Sequence, residues 1–327
     1  MIVLLNLFVL VGGLAGVGWW RRQQAIPIPS HIEGTVTQGF FESAPDVGYI
    51  PRANQQVTAR RVSQGSIVYD VRYTIGADSF RIVPSPGEHV ADACVPVFGD
   101  SFAFGEGIQD SETLPAQLVA AGGGRIAAYN FGIGGWGPHQ LLGGLASGRF
   151  QRALSCRPTV ALYTMVSGHL RRLAGRDDWV EGPRFHFDAD RQVVRDGTLK
   201  DGRFPRPDVL DEGYFSWRRL IGVRDSGTVG DVALAAAVFR ESLGYLGRLN
   251  DRLRLHVLYL DSDFDVRFAE LFARLAEQGI VLHRVEEMIP DFRDHRAEYE
   301  IGRVDGHFNA RANRLIAKYV ETRIIGR

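Results

Sequence analysis

The first twenty positions differ from everything that follows. Ile2 to Trp20 is an apolar run interrupted only by Asn6, and it closes on Trp19-Trp20-Arg21-Arg22. Nineteen residues at about 1.5 Å each approach the roughly 30 Å of a bilayer's hydrocarbon. The pattern predicts a single-pass anchor over residues 1–22, with the tryptophans at headgroup level and the arginines in water. A cleaved signal peptide is the rival reading, but no Lys or Arg precedes the run and no small-x-small site follows it. The positive-inside rule alone would hold the rest of the chain in the cytoplasm through Arg21 and Arg22.

Beyond the anchor the pattern changes to short segments. Residues 23–33 are polar and contain proline, as a linker would, and residues 34–90 predict a small β-rich extension. Within it Ile67 to Thr74 is β-branched and aromatic, Gly76-Ala77-Asp78 supplies a turn, and Phe80 to Val83 predicts a second strand. Over residues 91–327 apolar strands alternate with helical stretches, the mark of parallel βα units. The predicted strands are Val95–Phe98, Ile126–Asn130, Thr159–Thr164, Leu255–Leu260 and Ile280–Arg284, with Pro96 a blemish in the first because proline removes a ladder donor. Helices are predicted near 113–121, 138–147, 231–252, 265–277 and 310–324. Residues 170–229 interrupt the rhythm with a hairpin, Arg184–Asp188 and Gln192–Val194, and a polar stretch; such an insertion is where substrate loops usually sit.

Composition narrows the chemistry. The 327 residues carry 38 basic and 38 acidic side chains, so no basic excess is available for nucleic-acid phosphates, and a nucleic-acid partner is not expected. Two cysteines, Cys94 and Cys156, are too few for a structural zinc site. Lys200 and Lys318 are the only lysines, which leaves almost no candidate for Schiff-base or Walker-type chemistry. Asp261, Asp263 and Asp265 alternate after the fourth strand but lack the glycine and terminal glutamate of an EF-hand loop, and a solvated loop accounts for them.

Two short stretches carry a nucleophile and a base. Gly99-Asp100-Ser101 ends an apolar strand, so Ser101 falls at the carboxyl edge of the sheet, where such folds place ligands. A helix-capping serine is the plain alternative. About two hundred residues later Asp305-Gly306-His307 precedes the last helix. A serine nucleophile needs a base and a carboxylate to orient that base, and these need only converge in space.

In these blocks and their order, the chain resembles the SGNH, or GDSL-like, hydrolase superfamily, in particular membrane-tethered bacterial members related to polysaccharide acetylesterases and acetyltransferases. Gly99-Asp100-Ser101 with Gly105 matches the first block, Tyr129 to Gly135 looks like the second, and Asp305 with His307 the last. The resemblance implies a three-layer flavodoxin-like α/β/α fold with a five-stranded parallel sheet. It implies Ser101 as nucleophile, His307 as base and Asp305 as orienting acid, with an oxyanion site formed by the N–H groups of Ser101 and Gly135. Gly168-His169-Leu170 stands where relatives have Gly-Asn-Asp, which puts His169 in the place of an asparagine donor. The Asp-x-His spacing is also one residue shorter than in many relatives. His139 and Gln140, after the second block, are expected either to line the cleft or to start a helix.

No cofactor or metal is implied. The expected activity is serine-dependent hydrolysis of short O-acyl esters, by family likeness alone the acetyl esters of a carbohydrate. The alternatives are an O-acetyltransferase working with a membrane acyl-transfer partner, a lipid esterase or thioesterase, and a non-catalytic carbohydrate-binding module. The resemblance places the catalytic part outside the cytoplasm, against the two-arginine argument, with the N-terminal helix in the bilayer. In the common 2-1-3-4-5 strand order the first and third strands are neighbours, so Cys94 and Cys156 could form a disulfide or remain two buried thiols.

Overall fold

The computed structural model describes residues 30–84, 91–176, 179–201, 229–262 and 266–326. The predicted anchor, residues 1–22, lies outside them. Among the described residues no helix is long and apolar enough to cross a membrane.

The chain begins with β1 (Ser30–Glu33), β2 (Phe41–Ala44), β3 (Gly48–Pro51), β4 (Gln55–Ser63) and β5 (Ser66–Ile75). The β4 and β5 strands form an antiparallel hairpin whose Gln64 and Gly65 both take positive φ, 48° and 76°, as a tight hairpin turn of the right-handed twist requires. Alternation buries Val57, Ala59, Tyr69, Val71, Tyr73 and Ile75 on one face, and Phe104 from the following domain packs into the same cluster. The extension is therefore built around a residue of the central domain.

Phe80–Val83 does not form the expected strand. Only Arg81 bridges to Ile75, because the Arg81 side chain turns inward. It donates to the carbonyls of Phe104, Gly105 and Ile108 and to the Asp110 carboxylate. A planar guanidinium with five N–H donors on three nitrogens suits this task, and its bonds fix the loop behind Ser101.

The central domain follows with β6 (Ala93–Gly99), α1 (Ser101–Phe104), α2 (Leu114–Ala121), β7 (Ile126–Gly132), α3 (Pro138–Ala146), α4 (Arg149–Ala153), β8 (Val160–Met165), α5 (Gly168–Leu173), β9 (Pro183–Phe187), β10 (Val193–Thr198), α6 (Val229–Leu249), β11 (Arg254–Tyr259), α7 (Val266–Glu277), β12 (Val281–Arg284), α8 (Val285–Met288), α9 (Gly302–Asp305) and α10 (Ala310–Val320). Five strands form one parallel sheet in the order β12-β11-β8-β6-β7, which is the expected 2-1-3-4-5 arrangement. Pro96 is accommodated because β6 pairs with β8 only at Val97 and Phe98, beyond it.

Helices cover both faces. Leu141, Leu142, Val238, Phe239, Phe268 and Leu271 from α3, α6 and α7 pack on one; Leu118 of α2 and Ala312, Ile316 and Val320 of α10 pack on the other. The burial of α10 at 312, 316 and 320 follows the four-residue step of a helix with one apolar face. Asn309 caps that helix by accepting from the N–H groups of Arg311 and Ala312. A disulfide joins Cys94 in β6 to Cys156 before β8, with Cα atoms 6.0 Å apart.

Candidate active site

The sheet ends in a tight turn at the carboxyl edge of β6. Gly99 has φ 148°, and a Cβ there would lie 2.0 Å from Thr164 Oγ1, so no larger residue fits. Asp100 then caps α1 by accepting from the Phe102 N–H at 3.1 Å, and Ser101 is the first helical residue. Its N–H has no intrahelical acceptor. Gly105 closes the single turn in the left-handed region, φ 82°.

The second loop converges on this serine. The Ser101 hydroxyl lies 2.7 Å from His307 Nε2, and His307 Nδ1 donates to Asp305 Oδ1. The short Asp-x-His spacing works because Gly306 takes φ 78°, folding the chain so that Asp305 Oδ1 also accepts the His307 backbone N–H at 3.1 Å. Asp305 is fully buried in its side chain, and its other oxygen accepts from Arg61 at 2.5 Å. Phe102 packs on the imidazole with ring centroids 4.9 Å apart.

Charge follows from these contacts. Burial works against an ionised Asp305, but the hydrogen bond and charge of His307 and the charge of Arg61 outweigh it and lower its pKa. Burial likewise disfavours the His307 cation, yet the hydrogen bond to Asp305 and the charges of Glu106 and Asp305 prevail and raise it to about 8. Glu106, Asp305 and His307 bring three ligand-type atoms within 4.8 Å of one another. The contacts to Arg61, Ser101 and within the Asp305–His307 pair already engage both oxygens of Asp305 and both ring nitrogens of His307, which leaves only Glu106 to offer a metal.

Gly135 follows Gly134 in the loop after β7, and a Cβ on Gly134 would lie 3.9 Å from Ser101 Cβ. The φ of Gly135 is 81°, and a Cβ there would come within 2.3 Å of the Trp179 ring and 2.5 Å of the Tyr49 hydroxyl. Tyr49 donates to the carbonyl of Gly134 at 2.7 Å, and its own carbonyl accepts from Trp136 Nε1. The extension thus braces this loop too.

His169 is not where an oxyanion donor belongs. Its ring is fully buried; Nδ1 faces the Tyr163 hydroxyl at 3.0 Å and Nε2 lies 3.1 Å from Asp100 Oδ2. The helix α5 turns the side chain beneath the Ser101 loop, so both nitrogens are committed inward. Arg172 joins it, donating to Asp100 Oδ2 at 2.8 Å and to the Trp136 carbonyl at 2.9 Å. Burial alone would raise Asp100, but His169 and Arg172 hold it well below the usual carboxylate range. His139 and Gln140 are fully buried and line no open cleft. Gln140 accepts the Gly137 N–H at the start of α3, and burial lowers His139 to about 3. Asp261 accepts from the Ser167 N–H; Asp263 and Asp265 lie outside the described residues.

No protein-family model matches the chain, and no curated protein does. Solved structures do. An acetyl xylan esterase from the rumen bacterium Butyrivibrio proteoclasticus aligns over 73% of this chain and 65% of its own length, at 14% identity and a TM-score of 0.42. The esterase AlinE4, of the SGNH-hydrolase family, aligns over 74% of this chain and 98% of its own, at 15% identity and 0.38. A carbohydrate esterase whose active site displays divergent catalytic and non-catalytic binding functions aligns over 92% and 98%, at 11% and 0.43. These are similarities of fold.

Four residues at the site carry no local sequence signal. Arg61 and Tyr49 come from the extension, Trp179 from the insertion, and Arg172 from α5. Glu106, also outside the predicted set, does carry a signal: it directly follows Gly105 in the first block, where a carboxylate marks a charged site wall.

Proposed function

We propose that this protein is a serine esterase of SGNH type that cleaves short O-acyl esters through an acyl-enzyme. The observation that carries the reading is the 2.7 Å contact between Ser101 Oγ and His307 Nε2, with Nδ1 on a buried Asp305. His307 removes the Ser101 proton as Oγ attacks the ester carbonyl, and returns it to the departing alcohol. Asp305 holds the imidazole in the tautomer whose Nε2 lone pair faces the serine. The N–H groups of Ser101 and Gly135 receive the charge that develops on the carbonyl oxygen; one such donor is typically worth about 3–4 kcal/mol of barrier. A water then resolves the acyl-enzyme by the same route.

The substrate class follows from what borders Ser101. Glu106, His307 and the backbone of Gly134 make the hollow polar, which favours a small polar ester over a lipid chain. Trp179 stands 39% exposed beside Gly135, tilted against Tyr49 with centroids 5.7 Å apart. An exposed aromatic face there suits a sugar ring, so acetylated carbohydrate is the proposed substrate. The Cys94–Cys156 disulfide supports an oxidising, extracytoplasmic setting, in keeping with an anchor over residues 1–22.

Release of p-nitrophenol and acetate from p-nitrophenyl acetate, compared with Ser101→Ala, tests the reading. A loss of at least a thousandfold is expected, the order seen when a triad member is removed; equal rates would remove Ser101 from the chemistry.

A further inference from the structure

Glu106 has no role in the triad, yet it faces it. It follows Gly105, which ends the turn carrying Ser101, and its N–H donates to the Ser101 carbonyl at 3.0 Å. Its side chain is about a quarter exposed, with Oε2 3.9 Å from His307 Nε2. A Cβ built on Gly134 would lie 3.9 Å from both that Oε2 and Ser101 Cβ, so nucleophile, base and carboxylate open on one hollow. Among the described residues no donor gives Glu106 a hydrogen bond. An acceptor group left open to solvent beside the base is available to whatever enters the hollow.

We propose that Glu106 selects the acceptor that resolves the acyl-enzyme, favouring water and vicinal diols over monohydric alcohols. This rests on the acyl-enzyme reading above and deepens it. Once Ser101 is acylated, the incoming oxygen must give a proton to His307 Nε2. An oxygen about 2.8 Å from both Nε2 and Oε2 spans the 3.9 Å gap with an angle of about 90° between the two contacts, geometrically open to a hydroxyl oxygen. Both neighbours accept hydrogen bonds, so full engagement takes two hydrogens. Water has two. A monohydric alcohol has one, which goes to His307 and leaves its oxygen lone pairs against the Glu106 carboxylate. In a vicinal diol, as on a sugar ring or glycerol, the attacking hydroxyl serves His307 and its neighbour donates to Glu106.

The step balances without a further reactant. The acceptor oxygen bonds to the acyl carbon as its proton passes to Nε2. The carbon–Oγ bond then breaks, and the proton on His307 moves to Ser101 Oγ. The products are the free serine and either the carboxylic acid or a new ester.

The experiment uses the full chain with p-nitrophenyl acetate in buffer containing equal concentrations of 1-propanol and 1,2-propanediol. Acetate, propyl acetate and propanediol monoacetate are quantified, giving partition ratios set after acylation and independent of how much enzyme is folded. The wild type is expected to transfer to the diol about tenfold more than to the monohydric alcohol, the size of one hydrogen bond to a charged group. Glu106→Ala is expected to bring the two alcohols within about twofold of each other, and Glu106→Gln, which keeps an acceptor oxygen but not the charge, to fall between. Ser101-dependent release with the same partition in wild type and Glu106→Ala overturns this inference alone, as does a wild type that treats the two alcohols alike. Release that survives Ser101→Ala overturns the acyl-enzyme reading and this inference with it.

Discussion

At the scale of single residues, the site turns on how one imidazole is charged. With its pKa raised to about 8, His307 is mostly protonated at neutral pH and only roughly a tenth of it can act as base at pH 7. The expected profile of kcat/KM for p-nitrophenyl acetate rises through pH 7, bends near 8 and is flat above, because this parameter reports the free enzyme. A bend at or below 6.5 would mean that Asp305 and Glu106 do not hold the proton. Stability runs the other way. A histidine whose folded pKa exceeds the unfolded value of 6.5 stabilises the fold fully below 6.5 and loses that contribution as pH rises through about 8. The shift is worth about 2 kcal/mol, so denaturant midpoints should fall over the same interval in which activity climbs. His169 illustrates the opposite balance: enclosed by Tyr163 and Asp100, it steadies the carboxylate that caps the serine turn and contributes through position alone.

At the scale of elements, the antiparallel β4–β5 hairpin reaches across to the C-terminal end of α9. Arg61, on β4, meets Asp305 across 244 residues of sequence, and Arg81 clamps the turn after α1. If Arg61 positions the carboxylate, Arg61→Met should lower kcat by about 10–100-fold, the range of a charge-assisted hydrogen bond, with KM little changed. The bend of the pH profile should also move to higher pH, since one nearby positive charge is gone; Arg61→Lys should recover part of both. A purely structural role would instead lower the yield of folded protein and leave the profile in place. This long-range contact explains what was and was not legible in the sequence. The five parallel strands and their helices were readable because each buries a local apolar pattern, and Ser101 and His307 because each sits at a strand or helix boundary in a recognisable block. Arg61 and Trp179 were not, since nothing local marks a side chain whose partner is distant. Phe80–Val83 resembles a strand in its apolar pattern while its buried arginine has tertiary work, and Gly168-His169-Leu170 locates His169 after β8, at the start of α5, without fixing which way its ring points.

At the scale of the molecule, the sheet is tied at the end opposite the site. Cys94 and Gly99 are separated by five residue steps in β6, roughly 17 Å at strand rise, so the disulfide is remote from Ser101. It closes a loop with a sequence separation of 62, and restricting the unfolded chain over a loop of that length is worth about 4 kcal/mol in the chain-entropy account. Domains are typically stable by only about 5–15 kcal/mol, so the bond supplies a large share of what keeps β6 and β8 in register. Replacing both cysteines, Cys94→Ala with Cys156→Ser, is expected to lower the thermal midpoint by about 10 °C, at the 2–4 °C per kcal/mol usual for chains of a few hundred residues. Ester release at 25 °C should persist, because the turn at Gly99 is held by Thr164 and the β6–β7 ladder, and the turn after α1 by Arg81, rather than by sulfur. A midpoint that does not move would show that the ladder alone fixes the register. Activity lost in step with the bond at 25 °C would mean that β6 transmits the strain to Ser101, and the two ends of the sheet would then have to be treated as one unit.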